Sequence, residues 1–403
     1  MERLLRAAWR REGAGGRVLH AVLLPASWAY GAAAALDRAW RRRLPKFGRD
    51  VPVVLVGNLT IGGTGKTPIT IAVAERLRQL GAKPVIVSRG YGGRRAADPA
   101  VVADALGIHL GAGAAGDEPV MMARHLPGVP VVVGRDRVAA ARLAVDRLGA
   151  RSVILDDGFQ QRARFPGALR ILAVKATDPW GGGALLPAGS LREPLRGFGE
   201  ADIIVLTHPR IGDEARRRLE ESLRARAPGA LLVSADHWLT GFTDVTAPSA
   251  VRPVGWLKGR TVLAMAGIAD PWPFEAKLQS CGGRLAASCV RPDHHRWTPA
   301  EVARVMDEAV RVGADAVVTT AKDAVRLPLP ARSAVPVLVA QLQLRFATDG
   351  ERAQFGEALE RLVRVRPERA ARPAPLPPAG TGIDPGPLEE GGPGPRRRRR
   401  RRR

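Results

Sequence analysis

Residues 57–67 read Gly-Asn-Leu-Thr-Ile-Gly-Gly-Thr-Gly-Lys-Thr, and this stretch constrains the chain more than any other. An apolar run, Val51 to Val56, precedes it, and a segment follows in which Ile69, Ala72, Val73, Leu77 and Leu80 share one face at helical spacing. Strand, Gly-rich loop and helix start in that order turn several backbone N–H groups toward one point. There the positive end of the helix dipole adds to their pull on an anion. Thr60, Ile61, Gly62, Gly63, Thr64, Gly65, Lys66 and Thr67 are therefore the candidate cradle for the phosphates of a nucleotide. Lys66 would reach the β- and γ-phosphates, and the Thr67 hydroxyl would ligate Mg²⁺. The first Gly of the usual pattern G-x-x-x-x-G-K-[ST] is replaced by Thr60, but Gly62, Gly63 and Gly65 keep the loop permissive. The competing reading is a Gly-rich turn that happens to contain Lys-Thr.

From Val51 the chain alternates short apolar strands with helical segments. Strands are expected over 51–56, 84–88, 129–133, 153–155, 171–174 and 203–206, and helices over 66–80, 119–125, 135–148 and 214–225. Continuous apolar strands separated by helices predict a parallel sheet covered on both faces, a doubly wound α/β domain over 51–233. The pattern loosens over 234–257, an inter-domain connector. A second alternation follows over 258–345, with strands at 262–266, 285–290, 316–319 and 335–340 and a helix near 272–281. Thr298-Pro299-Ala300-Glu301 is a capping box with Pro at the first helical position. The 403 residues thus divide into a phosphate-loop domain and a smaller α/β domain, with a helix over 346–366 and a tail over 367–403 too rich in Pro, Gly and Arg to bury a core.

The formal charge of +24 is unevenly placed. Residues 1–50 carry eleven Lys/Arg against four Asp/Glu, and Arg396 to Arg403 add eight more cations, so the ends supply +15 of the total. The middle of the chain is only moderately basic, and no nucleic-acid partner is expected. Within 1–50, an apolar stretch at 18–36 lies between clusters of arginines. Pro25 and His20 interrupt it, no small-residue cleavage site follows it, and Trp9, Trp28, Tyr30 and Trp40 suit a headgroup region. It reads as a helix lying on an anionic membrane surface or, alternatively, as a helix packed on its own domain. Cys281 and Cys289 have neither disulfide-framework nor metal-site spacing and read as reduced core residues.

Four further clusters are candidates for chemistry, each with a purely structural alternative such as a turn or a helix cap. Val153-Ile154-Leu155-Asp156-Asp157 is an apolar strand ending in two carboxylates, the form that holds Mg²⁺ beside phosphates. Asp117 in Gly116-Asp117-Glu118-Pro119 is either a helix cap or a general base at the mouth of the site. Residues 185–194 form a Pro/Gly-bounded loop carrying Arg192 and Glu193, suited to positioning a substrate. Asp293-His294-His295 is a candidate proton relay; adjacent His side chains diverge, which disfavours a metal pair.

Together these motifs resemble the tetraacyldisaccharide 4'-kinases, over roughly residues 15–345. The pieces are the 57–68 loop, Ser88-Arg89-Gly90-Tyr91-Gly92, Gly116-Asp117-Glu118-Pro119, Gly134-Arg135, Asp156-Asp157-Gly158-Phe159-Gln160, Leu185-Leu186-Pro187-Ala188-Gly189 with Leu191-Arg192-Glu193-Pro194, and Asp293-His294. In that family Thr at position 60 is normal. The resemblance implies transfer of a phosphoryl group from ATP, with Mg²⁺, to the 4'-hydroxyl of an acylated disaccharide lipid at the cytoplasmic face of the bacterial inner membrane. It implies that Asp117 works with His294 to activate the hydroxyl, Lys66 supporting the transferring phosphate and Thr67 with Asp156 or Asp157 holding the metal. Asn58, Arg89, Glu118, Arg135, Gln160, Arg192 and Glu193 are the expected substrate contacts. Three positions depart from the family pattern: Gln161 for a His, Lys175 for an Asp, and Thr320-Ala321-Lys322-Asp323 for Thr-Glu-Lys-Asp. Another phosphate-loop kinase with a soluble acceptor, or a nucleotide-dependent switch or ATPase, are the alternatives.

Overall fold

Val53 to Val56 are buried on both faces, which only the middle of a covered sheet provides. A computed structural model describes residues 2–48, 50–94, 99–208, 211–247, 250–268, 271–328 and 334–364. The chain divides into two units, Met1–Arg369 and Ala370–Arg403, and the described residues all belong to the first. The 367–403 tail therefore lies outside the described residues. In chain order the strands are β1 (Val53–Gly57), β2 (Pro84–Ser88), β3 (Ala100–Asp104), β4 (Gly107–Ile108), β5 (Val131–Val133), β6 (Ser152–Leu155), β7 (Leu169–Lys175), β8 (Ile203–Thr207), β9 (Leu231–Asp244), β10 (Val251–Pro253), β11 (Thr261–Ala266), β12 (Arg284–Val290), β13 (Ala316–Thr320) and β14 (Val337–Phe346). They form one sheet in the order β12-β11-β13-β14-β9-β8-β7-β1-β6-β2-β5-β3-β4, with β10 paired to β9.

The order contains two parallel runs. Strands β9 to β5 pair in parallel around β1, and β14, β13, β11 and β12 form a second parallel set. The two meet where β9 and β14 pair antiparallel, from Ala235 opposite Phe346 to Asp244 opposite Leu338. The stretch that reads as an irregular connector, 234–257, instead begins inside the 14-residue strand β9, which runs to Asp244, and also contains β10. The mixture of apolar and polar residues in β9 hides it from simple periodicity, and it changes partner part-way, pairing first with β8 and then with β14. The hairpin β3–β4 also lies beyond the expected elements, capping the edge next to β5 in antiparallel fashion.

The helix Lys66–Gln79 begins at Gly65, whose φ of +82° is one a side chain rarely adopts. It buries Ile69, Ile71, Val73, Ala74 and Leu77 against the sheet, whereas Ala72 and Leu80 are only half-buried. Gly57 closes β1 where a Cβ would lie 2.5 Å from that of Phe159, itself fully buried. The capping box at Thr298 forms as expected, opening the helix Pro299–Arg311. Cys281 and Cys289 are free and only partly buried, one after a helix end and the other on the edge strand β12, rather than in the core.

The apolar N-terminal stretch is part of one helix, Gly13–Arg43, which continues through both His20 and Pro25. Its inward face is narrow: Gly16, His20 and Ser27 are buried. His20 Nδ1 donates to the Ala188 carbonyl at 3.0 Å, Ser27 Oγ donates to Leu185 O at 2.9 Å, and Ser27 Oγ accepts from Ala188 N at 2.9 Å. Trp9 Nε1 donates to Pro187 O. Val18, Val22, Trp28, Leu36 and Trp40 face outward and are exposed.

Candidate functional site

The loop after β1 is braced by the segment that carries Arg192. Ile61 N donates to Ser190 O and Arg192 N to Leu59 O, so the two loops pair like short strands around Thr60 and Leu191. Asn58 Nδ2 donates to Thr64 Oγ1 at 2.9 Å, and Thr207 Oγ1 at the end of β8 donates to Thr64 O at 3.0 Å. The loop is thereby held open from both sides, with Ile61, Gly62 and Gly63 exposed and Lys66 and Thr67 half-buried at its floor.

Beside the loop, β6 ends in Asp156 and Asp157. Asp156 is 1% exposed and accepts from Thr70 Oγ1 at 3.1 Å and Ser88 Oγ at 3.3 Å. Burial, with Glu118 and Asp157 nearby, pushes its carboxyl up to about 7 against the pull of Lys66 and the Thr70 hydroxyl. Asp157 has φ +50° and turns toward the loop, where Arg192 clamps it through both terminal nitrogens at 3.0 and 2.6 Å. Lys66 Nζ lies 3.7 Å from the same carboxylate. Asp156 and Asp157 thus lie side by side beside Lys66, although no group of three or more His, Cys, Asp or Glu side chains among the described residues is placed to hold a metal ion.

Arg192 also donates to Asn58 Oδ1 at 3.1 Å and Gln160 Oε1 at 3.2 Å, and Gln160 Nε2 donates to Asn58 O. Asn58, Gln160, Arg192 and Asp157 therefore form one polar group. Glu193 points elsewhere: 4% exposed, it accepts from Arg162 at 2.8 and 3.1 Å, and Arg162 also pairs with Glu200. That pairing occupies both carboxylate oxygens of Glu193 and fixes the loop's far side. Arg135 is exposed, whereas Arg137, two residues on, is 3% exposed. Burial pushes the Arg137 guanidinium down to about 10, and the fields of Asp156 and Asp157 pull the other way. Asp136 caps the helix at Val138 N and Ala139 N, and this sets which arginine turns inward. Arg89 is exposed at the loop after β2, close enough for its charge to act on Arg137.

Asp117 opens the helix Asp117–His125 at its positive end. The preceding Gly116 has φ +90°, and a Cβ there would lie 2.4 Å from the Tyr91 carbonyl. The Gly90–Gly93 turn and the Asp117 turn thus pack backbone on backbone, which accounts for the glycines in both motifs. His294 Nδ1 donates to Asp117 Oδ2 at 2.8 Å across the two parallel runs. Asp293 and His294 are further held by Lys322, whose Nζ donates to Asp293 Oδ1 at 2.8 Å and to His294 Nε2 at 3.3 Å. The other oxygen of Asp117 lies 3.3 Å from Arg326 Nε, and Arg326 is 7% exposed and tied to Asp323 and the His295 carbonyl. His295 faces away, onto Glu301. Arg326 escapes sequence reasoning, since no local pattern reveals a partner more than two hundred residues earlier, and Lys322 enters it only within Thr320-Ala321-Lys322-Asp323, without its partners at 293 and 294.

On the opposite flank, His237 on β9 aims its Nε2 at Gly65, where a Cβ would lie 2.8 Å away. That nitrogen is out of water and has no hydrogen-bond partner among the described residues. Burial, reinforced by His208 and Lys277 and opposed by Asp236, lowers the His237 ring to about 4. A base whose folded pKa is depressed contributes stability that is complete above its unfolded value of about 6.5 and is lost as pH falls through 4. In thermal melts from pH 7 to pH 4, His237→Gln should therefore lose less stability than the parent. The difference should reach at most about 3 kcal/mol at the acid end; parallel curves would exclude His237 as the cause.

The model of the family described as tetraacyldisaccharide-1-P 4'-kinase matches residues 19–364. A tetraacyldisaccharide 4'-kinase of Anaeromyxobacter sp. (strain K) is 40% identical over 384 residues, covering 93% of this chain and 98% of the relative. One from Anaeromyxobacter dehalogenans (strain 2CP-C) is 43% identical over 333 residues, covering 80% and 86%. The crystal structure of LpxK from Aquifex aeolicus in complex with ATP superimposes with a TM-score of 0.68 at 28% identity, covering 86% of this chain and 99% of that one.

Proposed function

The chain belongs to the tetraacyldisaccharide-1-P 4'-kinase family, and on that premise we propose which of its residues carry out the reaction and where. The protein is an ATP-dependent kinase of lipid A biosynthesis that phosphorylates the 4'-hydroxyl of a tetraacyldisaccharide 1-phosphate. The observation that carries the assignment of roles is the 2.8 Å bond between Asp117 and His294, which joins the two parallel runs beside the phosphate loop.

The acceptor hydroxyl oxygen bonds to the γ-phosphorus as the bond to the β–γ bridging oxygen breaks, and ADP leaves. The hydroxyl proton passes to Asp117, which His294 orients and whose charge Arg326 stabilises. Lys66 and the loop amides from Gly62 to Thr67 face the charge on the transferring group. Thr67, Asp156 and Asp157 would hold the Mg²⁺ that accompanies ATP, an ion that supplies charge neutralisation at the phosphate oxygens. Asn58, Gln160 and Arg192 form the acceptor side, with Arg89, Glu118 and Arg137 at its border. Residues 51–233 and 258–345 act as two domains hinged on the β9–β14 ribbon, so that closure assembles Asp117 with His294 and excludes water that would otherwise hydrolyse ATP.

The exposed face of the Gly13–Arg43 helix supports attachment to the cytoplasmic face of the inner membrane, because only 11% of its apolar window is buried. Trp28 and Leu36 point away from the protein at 70% and 72% exposure. Replacing both by Glu should abolish vesicle binding and sharply reduce turnover of acceptor in membranes, while turnover of a short-chain, detergent-dispersed acceptor persists. Equal losses on both acceptors would point to a structural role for this face instead.

A further inference from the structure

The last turns of the Gly13–Arg43 helix form one wall of a cavity of ≈ 350 Å³. Arg38, Arg41 and Arg42 line it from the helix, and Arg162 and Arg170 line it from the protein body together with Glu200. Three of these five cations are already matched. Arg41 pairs with Asp37 at 2.6 Å, Arg162 with Glu193 and Glu200, and Arg170 with Asp202 at 2.7 Å. Among the described residues Arg38 and Arg42 make no ion pair within 4 Å, although the charge of Arg42 reaches Glu200 and helps to lower its carboxyl, and Arg38 Nη1 is out of water with no hydrogen-bond acceptor. A guanidinium N–H withdrawn from water with nothing to donate to is costly, and an anion in the cavity removes that cost.

We propose that this cavity binds a phosphate group carried by a lipid, with Arg38 and Arg42 as its donors. The planar fork of arginine matches the spacing of phosphate oxygens. Two observations favour a lipid over a soluble anion. Leu36 and Trp40, on the same two turns, are 72% and 61% exposed, which sets the cavity at the level where an apolar, aromatic surface meets headgroups. Gln160 lines the cavity and also accepts from Arg192 in the acceptor group, so the cavity adjoins the place where the disaccharide is handled. The phosphate belongs either to a bilayer phospholipid or to the acceptor itself, which enters the reaction already bearing one. The proposal rests on the kinase and membrane readings above.

The test compares the full-length parent with Arg42→Ala and with Arg38→Ala/Arg42→Ala. Turnover is measured on the acceptor with and without its phosphate, and binding on phosphatidylcholine vesicles with and without phosphatidylglycerol. If the acceptor's phosphate is the ligand, KM for the phosphorylated acceptor should rise roughly fivefold per arginine removed. KM for the dephosphorylated acceptor and kcat should hold, and vesicle binding should be unchanged. If a phospholipid is the ligand, the preference for phosphatidylglycerol vesicles should fall by a similar factor, with the ratio of the two KM values unchanged. Variants that melt like the parent and match it in both assays would overturn the proposal. Should the double variant fail to fold, Arg42→Ala, at an exposed position, decides alone. Failure of the underlying readings shows separately, as a parent that transfers no phosphate or binds neither vesicle, and it removes this proposal too.

Discussion

Asp117→Asn is expected to lower kcat by about 10²–10⁴-fold while leaving ATP binding largely intact. Asn keeps the shape of the side chain and can still meet His294, but it cannot take up the hydroxyl proton. The position is 8% exposed and its side chain bonds His294 and faces Arg326, so the nucleotide contacts should survive. Because Asp117 and His294 act as a pair, adding His294→Ala to Asp117→Asn should cost little beyond the single change. The comparison requires single-turnover rates for the four proteins and ATP binding measured without acceptor. Near-normal turnover in Asp117→Asn would remove the base assignment, and fully additive losses would separate the two residues. Arg326 gives a structural check: it retains Asp323 as a partner, so the Asn variant should stay folded.

Lys66→Ala is expected to cost about 10²–10³-fold in kcat and, unlike Asp117→Asn, to weaken ATP binding as well. Lys66 is 3.7 Å from Asp157 and its charge opposes the upward shift of Asp156. Its removal therefore withdraws a cation from the transferring phosphate and leaves Asp156, Asp157 and Glu118 less compensated in the empty protein. Lys66→Arg should not restore the rate, since a planar guanidinium does not replace a compact ammonium in a loop of fixed size. Binding and turnover measured side by side distinguish this residue from Asp117, because one variant fails in both steps and the other in chemistry alone.

The parts of this site that local sequence reveals are those made by local geometry. The loop from Gly57 to Thr67, the carboxylates at the end of β6 and the Thr298 capping box each need only neighbouring residues to form. The alternation of apolar strands with helices located the sheet for the same reason. Contacts set by register or by distant packing are not visible in this way. Arg137 rather than Arg135 turns inward because Asp136 caps the helix at that residue. Arg162 occupies both carboxylate oxygens of Glu193, and only the fold brings those two together. Arg326 and His294 reach Asp117 across the antiparallel β9–β14 pairing, whereas Lys322 meets Asp293 and His294 within the second parallel set.

The central claim is that one site, built from the phosphate loop, Asp117 and His294, moves the γ-phosphoryl group of ATP onto a sugar hydroxyl. Its most direct test incubates the purified protein with Mg²⁺, γ-labelled ATP and a tetraacyldisaccharide 1-phosphate, and locates the label on the lipid by phosphorus NMR. The account predicts one new phosphate monoester, at the 4' position, formed in step with ADP and lost in Asp117→Asn. Label released only as inorganic phosphate, or transferred equally well by Asp117→Asn, from protein with an intact fold would contradict it.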